Sequence, residues 1–598
     1  MLDAQMFGKI KYISDNNAVV EINKEGNVIA NLMNLHIIFE QGDDRLLGEV
    51  KNVDEETVRI ELLGEFLDGR FIPGTIKKPS LTSTIRIIND TELDIIMGKD
   101  DPNSLYIGKS PTYKDRSIYA NINDLFSNHL AIFGNSGSGK SCSVSRIIQN
   151  IFLNPHFLSY NANMFIFDAY GEYKTAFKVI DQINANYQYK FLTTNPTDET
   201  DMLLQIPVFL LTNDDVALLL NAENHAQLTI LDRTMKLAKM FSKDDEKTEK
   251  LKNHLIASAI QAILFTNQNA SGKKNDIFTI IASCSTPAFS MNSELQGIGY
   301  TRRFAECFKI DSKGEFGESV LINEYLTKHL DEHLEASMDL PEEPFYNLND
   351  LEKALNFTLI GEGFLNNRIM QDSAIILKVR LHTLINSKNK IYFDFKQYIN
   401  LDTYISSLII MNNKRSQIIN INLEDIDDLL AKCIVKIISR MIYDFSKTRK
   451  VRAAIPFHLI IEEAHRYVVS YDNDKFLLGY NIFERIAKEG RKYGVLIDLI
   501  SQRPVDISET VIAQTNNFLV LKLTQPQDQE YIEKMLPNVS KDVIEKISSL
   551  QPGTLVAFGS AFKIPLIIKM DMPDPAPYSS NCDVVARWNA NQNEPGNQ

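Results

Sequence analysis

The run Gly134-Asn135-Ser136-Gly137-Ser138-Gly139-Lys140-Ser141 fits the pattern G-x-x-x-x-G-K-[ST] without a mismatch. Glycines at this spacing let the backbone turn tightly enough to aim several N–H groups at phosphate oxygens, at the positive end of a following helix. Lys140 is then expected to reach the β- and γ-phosphates and to act in catalysis, and the Ser141 hydroxyl to face Mg²⁺. Residues Gly134 to Cys142 make up the expected nucleotide-contacting segment. The flanks suit it: Leu130-Ala131-Ile132-Phe133 reads as a buried strand feeding the loop, and Ser143 to Phe152 as the helix leaving it.

A second set of groups suits the opposite side of such a site. Phe457-His458-Leu459-Ile460-Ile461 runs into Glu462-Glu463-Ala464-His465, placing two carboxylates at the end of a buried strand, where open parallel sheets hold their ligands. Glu462 is expected to hold the Mg²⁺ shell through water, and Glu463 to orient and polarise an attacking water. The plainer alternative is a helix-capping acidic pair. Val495 to Ile500 delivers Ser501-Gln502-Arg503-Pro504 at its end; the Gln502 amide can bond both a water and a terminal phosphate and is expected to sense the γ-phosphate, the plainer alternative being a glutamine with no special role. Asp168 closes Phe165-Ile166-Phe167 and is followed by Gly171-Glu172-Tyr173. It is either a further acid near the metal or a loop cap. In Glu489-Gly490-Arg491-Lys492-Tyr493-Gly494, Arg491 is the arginine-finger candidate, since a planar, permanently charged guanidinium stabilises the charge spread during γ-phosphate cleavage. Basic residues at helix ends also occur for dipole reasons alone.

These groups must be positioned by a large chain. At 598 residues and 44% hydrophobic content, two to four domains are expected. Residues 1–115 show short alternating runs such as Val19-Val20-Glu21-Ile22 and Thr57 to Leu62, predicting a small N-terminal β-barrel followed by a connector with further strand-like pieces, Ile85 to Ile88 and Leu93 to Ile96. Residues 116–211 and 391–570 carry alternating strands and helices, the signature of a mainly parallel α/β sheet. Between them, 212–390 is mostly helical in period and reads as an inserted helical domain; 571–598, rich in proline and asparagine, reads as an extended tail. No stretch is long and apolar enough to span a membrane, and the start lacks a basic-then-apolar leader, so a cytoplasmic protein is expected. Five scattered cysteines suggest reduced thiols and disfavour zinc. The net charge of −14 argues against a generally basic nucleic-acid binder but permits a basic channel in an acidic particle.

Taken in order, Gly134 to Ser141, Asp168-Ala169-Tyr170-Gly171-Glu172-Tyr173, Glu462-Glu463-Ala464-His465, Glu489 to Gly494, Ser501 to Pro504, and Leu550-Gln551-Pro552-Gly553 with Ala557-Phe558-Gly559 resemble the HerA family, within the HerA/FtsK group of RecA-like ring ATPases. Ala169 and Tyr170 stand where the family often has Pro-His. The resemblance implies a RecA-like P-loop core interrupted by a helical bundle, an N-terminal β-barrel, ATP and Mg²⁺ between subunits of a homohexamer, Arg491 reaching a neighbour, and double-stranded DNA threaded through the centre. It also implies a partner effector, a nuclease or a sirtuin-like NAD-consuming enzyme, and suggests a bacterial antiphage-defence member. A nucleotide-regulated scaffold that activates the effector without obligatory DNA transport is the alternative.

Overall fold

The computed structural model describes residues 7–22, 32–199, 201–331, 333–334, 342–364, 368–470, 481–535, 541–578 and 584–589. Alternation near the N-terminus produces an antiparallel seven-stranded sheet. Its hydrogen-bonded path runs Phe7–Ile13, Asn17–Ile22, Thr57–Leu67, Asp44–Val53, His36–Gln41, Thr84–Ile87, with Arg70–Pro73 paired to Thr57–Leu67. In Asn17–Ile22 and Thr57–Leu67 the alternate side chains Ala18, Val20, Val58 and Ile60 are fully buried.

Leu93 to Ile96, expected to be strand-like, lies instead in the helix Asp90–Met97. Its β-branched content suggested a strand, but the Asn89 side chain accepts the Glu92 N–H (2.9 Å) while Glu92 accepts the Asn89 N–H (3.2 Å). This reciprocal capping starts a helix whose Leu93, Ile96 and Met97 fall on one buried face.

The larger sheet has twelve strands in the order Met202–Leu203, Tyr189–Thr193, Ile418–Asn422, Met164–Asp168, Phe457–Ile461, Val495–Ser501, Leu130–Phe133, Asn517–Val520, Thr554–Gly559, Leu566–Lys569, Ser104–Ser110, Arg116–Asn121. From Met202–Leu203 to Asn517–Val520 every pairing is parallel; the strands beyond are antiparallel. The central strands are buried at every position, as helices covering both faces require. The two strands flanking the expected boundary at 115/116, Ser104–Ser110 and Arg116–Asn121, pair with each other at the edge of this sheet.

The chain leaves the sheet after Leu203 and returns at Ile418, having formed a run of helices that includes His225–Phe241, Glu246–Leu264, Leu348–Gly361 and Arg368–Asn386. Their apolar faces join one continuous core with the helix Asp428–Lys447 and the sheet face beneath it. The join carries a charge pair: Arg440 in that helix bonds Asp215 at the start of the insertion (2.7 Å), Asp444 (2.8 Å) and the Leu210 carbonyl (3.1 Å). Removing Asp215 leaves the buried guanidinium with the partly exposed Asp444 as its remaining counter-charge. Asp215→Ala should therefore destabilise the protein by about 3–5 kcal/mol, read as an earlier unfolding transition in urea; an unchanged transition would show that the insertion does not depend on this joint.

Candidate nucleotide site

The phosphate-binding segment forms the loop expected. The strand Leu130–Phe133 ends in Gly134, whose N–H bonds the Ser501 carbonyl (3.2 Å), and the Asn135 N–H bonds the Lys522 carbonyl (2.9 Å), so both neighbouring strands anchor the turn. Gly139 has φ 98° and caps the helix Lys140–Phe152 without any side-chain bond. A side chain at Gly134 would meet Ser138 Oγ at 2.6 Å and Leu521 at 2.8 Å, so both glycines are dictated by the turn. Gly553 closes the back of the loop, donating its N–H to the Ser138 carbonyl (2.9 Å). The first-turn N–H groups of the helix, including those of Ser141 and Cys142, lie beyond the reach of intrahelical acceptors. The Ser136 hydroxyl and the open side of Gly137, next to which an added Cβ would meet nothing within 4 Å, complete the cradle.

Lys140 folds over this loop, its Nζ bonding the Asn135 carbonyl at 3.1 Å. Burial pushes its pKa down, and the carboxylates of Glu463, Glu462 and Glu172 pull it back up. Those carboxylates arrive from two strands. Glu462 is buried, accepts the Ala169 N–H at 3.0 Å, and is pushed well above the ordinary carboxyl range by burial and by Asp168, Glu172 and Glu463. Glu463 follows with φ 47°, a left-handed backbone that costs a non-glycine residue of the order of 1–3 kcal/mol and is the kind of strain that functional sites retain.

Gln502 joins the two halves. Its Nε2 donates to Glu463 Oε1 (2.5 Å), and its Oε1 accepts from Ser136 Oγ (2.6 Å). The amide thus links the carboxylate directly to the phosphate loop. His465 flanks the same carboxylate, its Nδ1 3.2 Å from Glu463 Oε2 and 3.1 Å from Ser501 Oγ.

Asp168 is fully buried, and its oxygens receive the N–H groups of Glu172 and Tyr173 (3.0 Å each) and the Asn420 amide (3.2 Å). With its oxygens so engaged, it acts as the clamp of the loop 169–173. That loop delivers Glu172, whose carboxylate interacts with the Ser141 hydroxyl. Glu172 is therefore a member of the site that the strand pattern alone did not mark; the signal was Asp168 four residues earlier, a spacing at which its side chain caps the turn.

Arg491 is not brought to this cluster. It lies exposed in the turn Gly490–Tyr493, ahead of the amino end of Val495–Ser501, whereas Gln502 follows the carboxyl end. The length of that strand, about 20 Å at the usual rise, exceeds what an arginine side chain spans. Among the described residues no carboxylate forms an ion pair with Arg491.

The residues fit a magnesium-bound nucleoside triphosphate. Ser138 Oγ and Glu172 Oε2 are buried without a hydrogen-bond partner, Glu463 Oε2 has only the ion-pair contact with His465 given above, and they edge a loop of N–H donors beside an ammonium group. Among the described residues no group of three or more His, Cys, Asp or Glu is placed to hold a metal ion. No described helix is long and apolar enough to cross a membrane.

Comparison with known proteins agrees with these motifs. The family model of the helicase HerA central domain matches residues 105–293. The DNA double-strand break repair helicase HerA of Saccharolobus solfataricus is 32% identical over 204 residues, covering 33% of this chain and 40% of that protein. The match therefore spans well under half the length of that relative. A protein of Methanocaldococcus jannaschii named "Probable DNA double-strand break repair helicase HerA" is 23% identical over 573 residues, 92% of this chain and 93% of its own. Among solved structures, VirB4 of Thermoanaerobacter pseudethanolicus aligns with a TM-score of 0.45 and 10% identity over 79% of this chain and 98% of its own. By the central-domain match and the end-to-end similarity to the Methanocaldococcus protein, the chain is similar to HerA helicases along nearly its whole length.

Proposed function

We propose that the protein is a ring-forming ATPase that moves double-stranded DNA. The observation that carries this reading is the bonded chain Ser136–Gln502–Glu463, which ties a phosphate-binding loop to a strained, buried carboxylate in a single pocket. Within it, Lys140 and the loop N–H groups hold the terminal phosphates, and Ser141, Glu462 and Glu172 surround the metal position. Bound Mg²⁺ neutralises phosphate charge and orients the leaving oxygens. Glu463 accepts the proton of the attacking water. Gln502 holds that carboxylate in place and, by bonding Ser136, reports on the loop that touches phosphate. Engaging Gln502 with a terminal phosphate would release one of its two present partners, the simplest way for nucleotide state to alter the pocket.

Arg491, at the opposite end of the sheet from its own subunit's pocket, is assigned in this reading to the pocket of another subunit. Giving a finger to one neighbour and receiving one from the other makes a head-to-tail interface that closes into a ring, a hexamer in this reading. DNA is gripped through its phosphates, giving salt-sensitive, sequence-independent binding. In this reading the N-terminal antiparallel sheet takes the part of the expected barrel, and the helical insertion that of the bundle. A partner effector, a nuclease or sirtuin-like NADase, supplies the cutting or NAD-consuming chemistry, with antiphage defence as the setting.

The test is ATP turnover with and without duplex DNA. Duplex should stimulate hydrolysis, and stimulation should fade with salt; turnover indifferent to duplex at low salt would sink the motor reading. Lys140→Ala should abolish ATP-induced thermal stabilisation while leaving the apo fold intact. Glu463→Gln should keep ATP binding but lower turnover by roughly 10²-fold or more, measured by phosphate release. Arg491→Ala should abolish turnover with affinity unchanged, and rings mixing Arg491→Ala with Glu463→Ala subunits should regain part of it at repaired interfaces; no recovery would refute a finger acting between subunits.

The buried acid gives a pH prediction. A carboxyl group held above its ordinary value of 4.5 takes up a proton on folding, so its contribution to stability is lost as pH rises from about that value toward the folded one. Glu462→Gln should therefore stabilise the nucleotide-free protein more at pH 8 than at pH 5. Equal shifts in melting temperature at the two values would show that Glu462 is not protonated in the folded state.

A further inference from the structure

Arg491 hangs from a turn that two elements enter and leave: the helix Ile482–Glu489 before it and the strand Val495–Ser501 after it. A finger that must meet a phosphate on another subunit needs a fixed base, because misplacement by about 1 Å can cost 10²-fold in rate. The side chain of His129 hydrogen-bonds both limbs. The imidazole of His129, 3% exposed, lies between them: its Nδ1 accepts the Ile497 N–H at 3.0 Å, and its Nε2 lies 3.1 Å from the Ala487 carbonyl. Since a carbonyl can only accept, Nε2 carries the hydrogen and the ring is neutral; burial, which holds its pKa below the ordinary value, favours the same form.

Each contact answers a local need. Ala487 is in the last turn of its helix, where carbonyls have no intrahelical donor. Ile497 lies one residue before Asp498, the first position of its strand that pairs with Leu130, so the His129 side chain continues the ladder where the neighbouring strand has not yet begun. The turn is otherwise built for rigidity. A Cβ at Gly490 would stand 2.4 Å from the Val495 carbonyl oxygen, Gly494 has φ 77° and accepts the Phe457 N–H (2.7 Å), and Tyr443 donates to Glu489 (2.8 Å). None of these bridges the helix to the strand across the turn.

Resting on the trans-acting role of Arg491 proposed above, we propose that His129 is the positioning residue of the arginine finger, clasping the two limbs of its turn. His129 also immediately precedes Leu130–Phe133, the strand that ends in the phosphate loop, so one four-residue strand joins the clasp of the finger a subunit gives to the pocket in which it receives one.

The assignment makes His129 a member of the donor side of the interface, and mixed rings read this out. His129→Leu, which removes both bonds, should lower turnover by roughly 10²-fold with ATP affinity unchanged. His129→Gln, which can still accept one bond and donate the other, should retain most of the turnover. His129→Leu subunits mixed with Glu463→Ala subunits should regain turnover, because the former keep a sound pocket and the latter a sound finger; mixed with Arg491→Ala they should not. Recovery with Arg491→Ala, or none with Glu463→Ala while the Arg491→Ala and Glu463→Ala mixture recovers, overturns the role of His129. Failure of that last mixture overturns instead the finger reading on which it stands. If His129→Leu does not assemble, His129→Asn, which keeps the acceptor for Ile497 but loses the reach to Ala487, carries the same test and the same outcomes.

Discussion

Three carboxyl groups, those of Glu172, Glu462 and Glu463, act on a single ammonium, that of Lys140, and a fourth, that of Asp168, stands beside the buried Glu462. Like charges at that density cannot all be ionised in a buried place. The surroundings divide the roles. Asp168 is surrounded by backbone and amide donors, which favour its charge, although burial outweighs them and raises its pKa. Glu462 has one backbone donor and three acidic neighbours, and takes the proton. Glu463, bonded to the Gln502 amide, stays next to the phosphate loop. Nearly every other feature of the pocket follows from keeping this arrangement together: the clamp on the loop 169–173, the left-handed backbone at Glu463, and the bonds that fix the loop to its flanking strands.

Much of this could be read from residue order because the strong signals are local. A glycine-rich loop between an apolar strand and a helix, and two acids ending a buried strand, announce themselves by spacing. The parts that escaped are set by partners distant in sequence. Nothing around Gln502 shows that its amide bridges Ser136 and Glu463, since those contacts depend on the adjacency of Leu130–Phe133, Phe457–Ile461 and Val495–Ser501 in one parallel sheet. Asp168 looked equally like a metal neighbour or a cap, and only its bonded donors distinguish them. His129 gave no signal at all, because its partners lie more than 350 residues away. Leu93 to Ile96 was misread for the opposite reason: the deciding signal, Asn89 with Glu92, was local, but β-branched residues outweighed it.

The two ends of the parallel sheet do different work. Its carboxyl ends carry the loop, the paired glutamates and Gln502; its amino end carries the turn of Arg491. Parallel strands cannot shift one at a time without breaking hydrogen bonds on both sides, so the central strands behave as a rigid bar between the two ends. The phosphate loop and His129 thus stand at the two ends of one four-residue strand, Leu130–Phe133.

The place of the insertion follows the same logic. Its return strand, Ile418–Asn422, lies beside Met164–Asp168, and the contacts at their ends are numerous: the Leu423 N–H bonds the Asp168 carbonyl (2.9 Å), the Asn420 amide bonds the Asp168 carboxylate, and Glu424 lies so near Gly171 that an added Cβ would stand 2.5 Å from its Oε2. The loop that presents Glu172 to Ser141 is thus held partly by the segment on which the helical insertion re-enters the sheet. On the far side, Arg440 ties the start of the insertion to the helix that follows this strand. With both of its ends bonded to the core, the insertion cannot tilt as a body without loading the Asp168 loop, and a displaced loop must in turn strain the insertion's roots. A long interruption of the sheet at this edge therefore leaves the pocket intact and also remains mechanically connected to it.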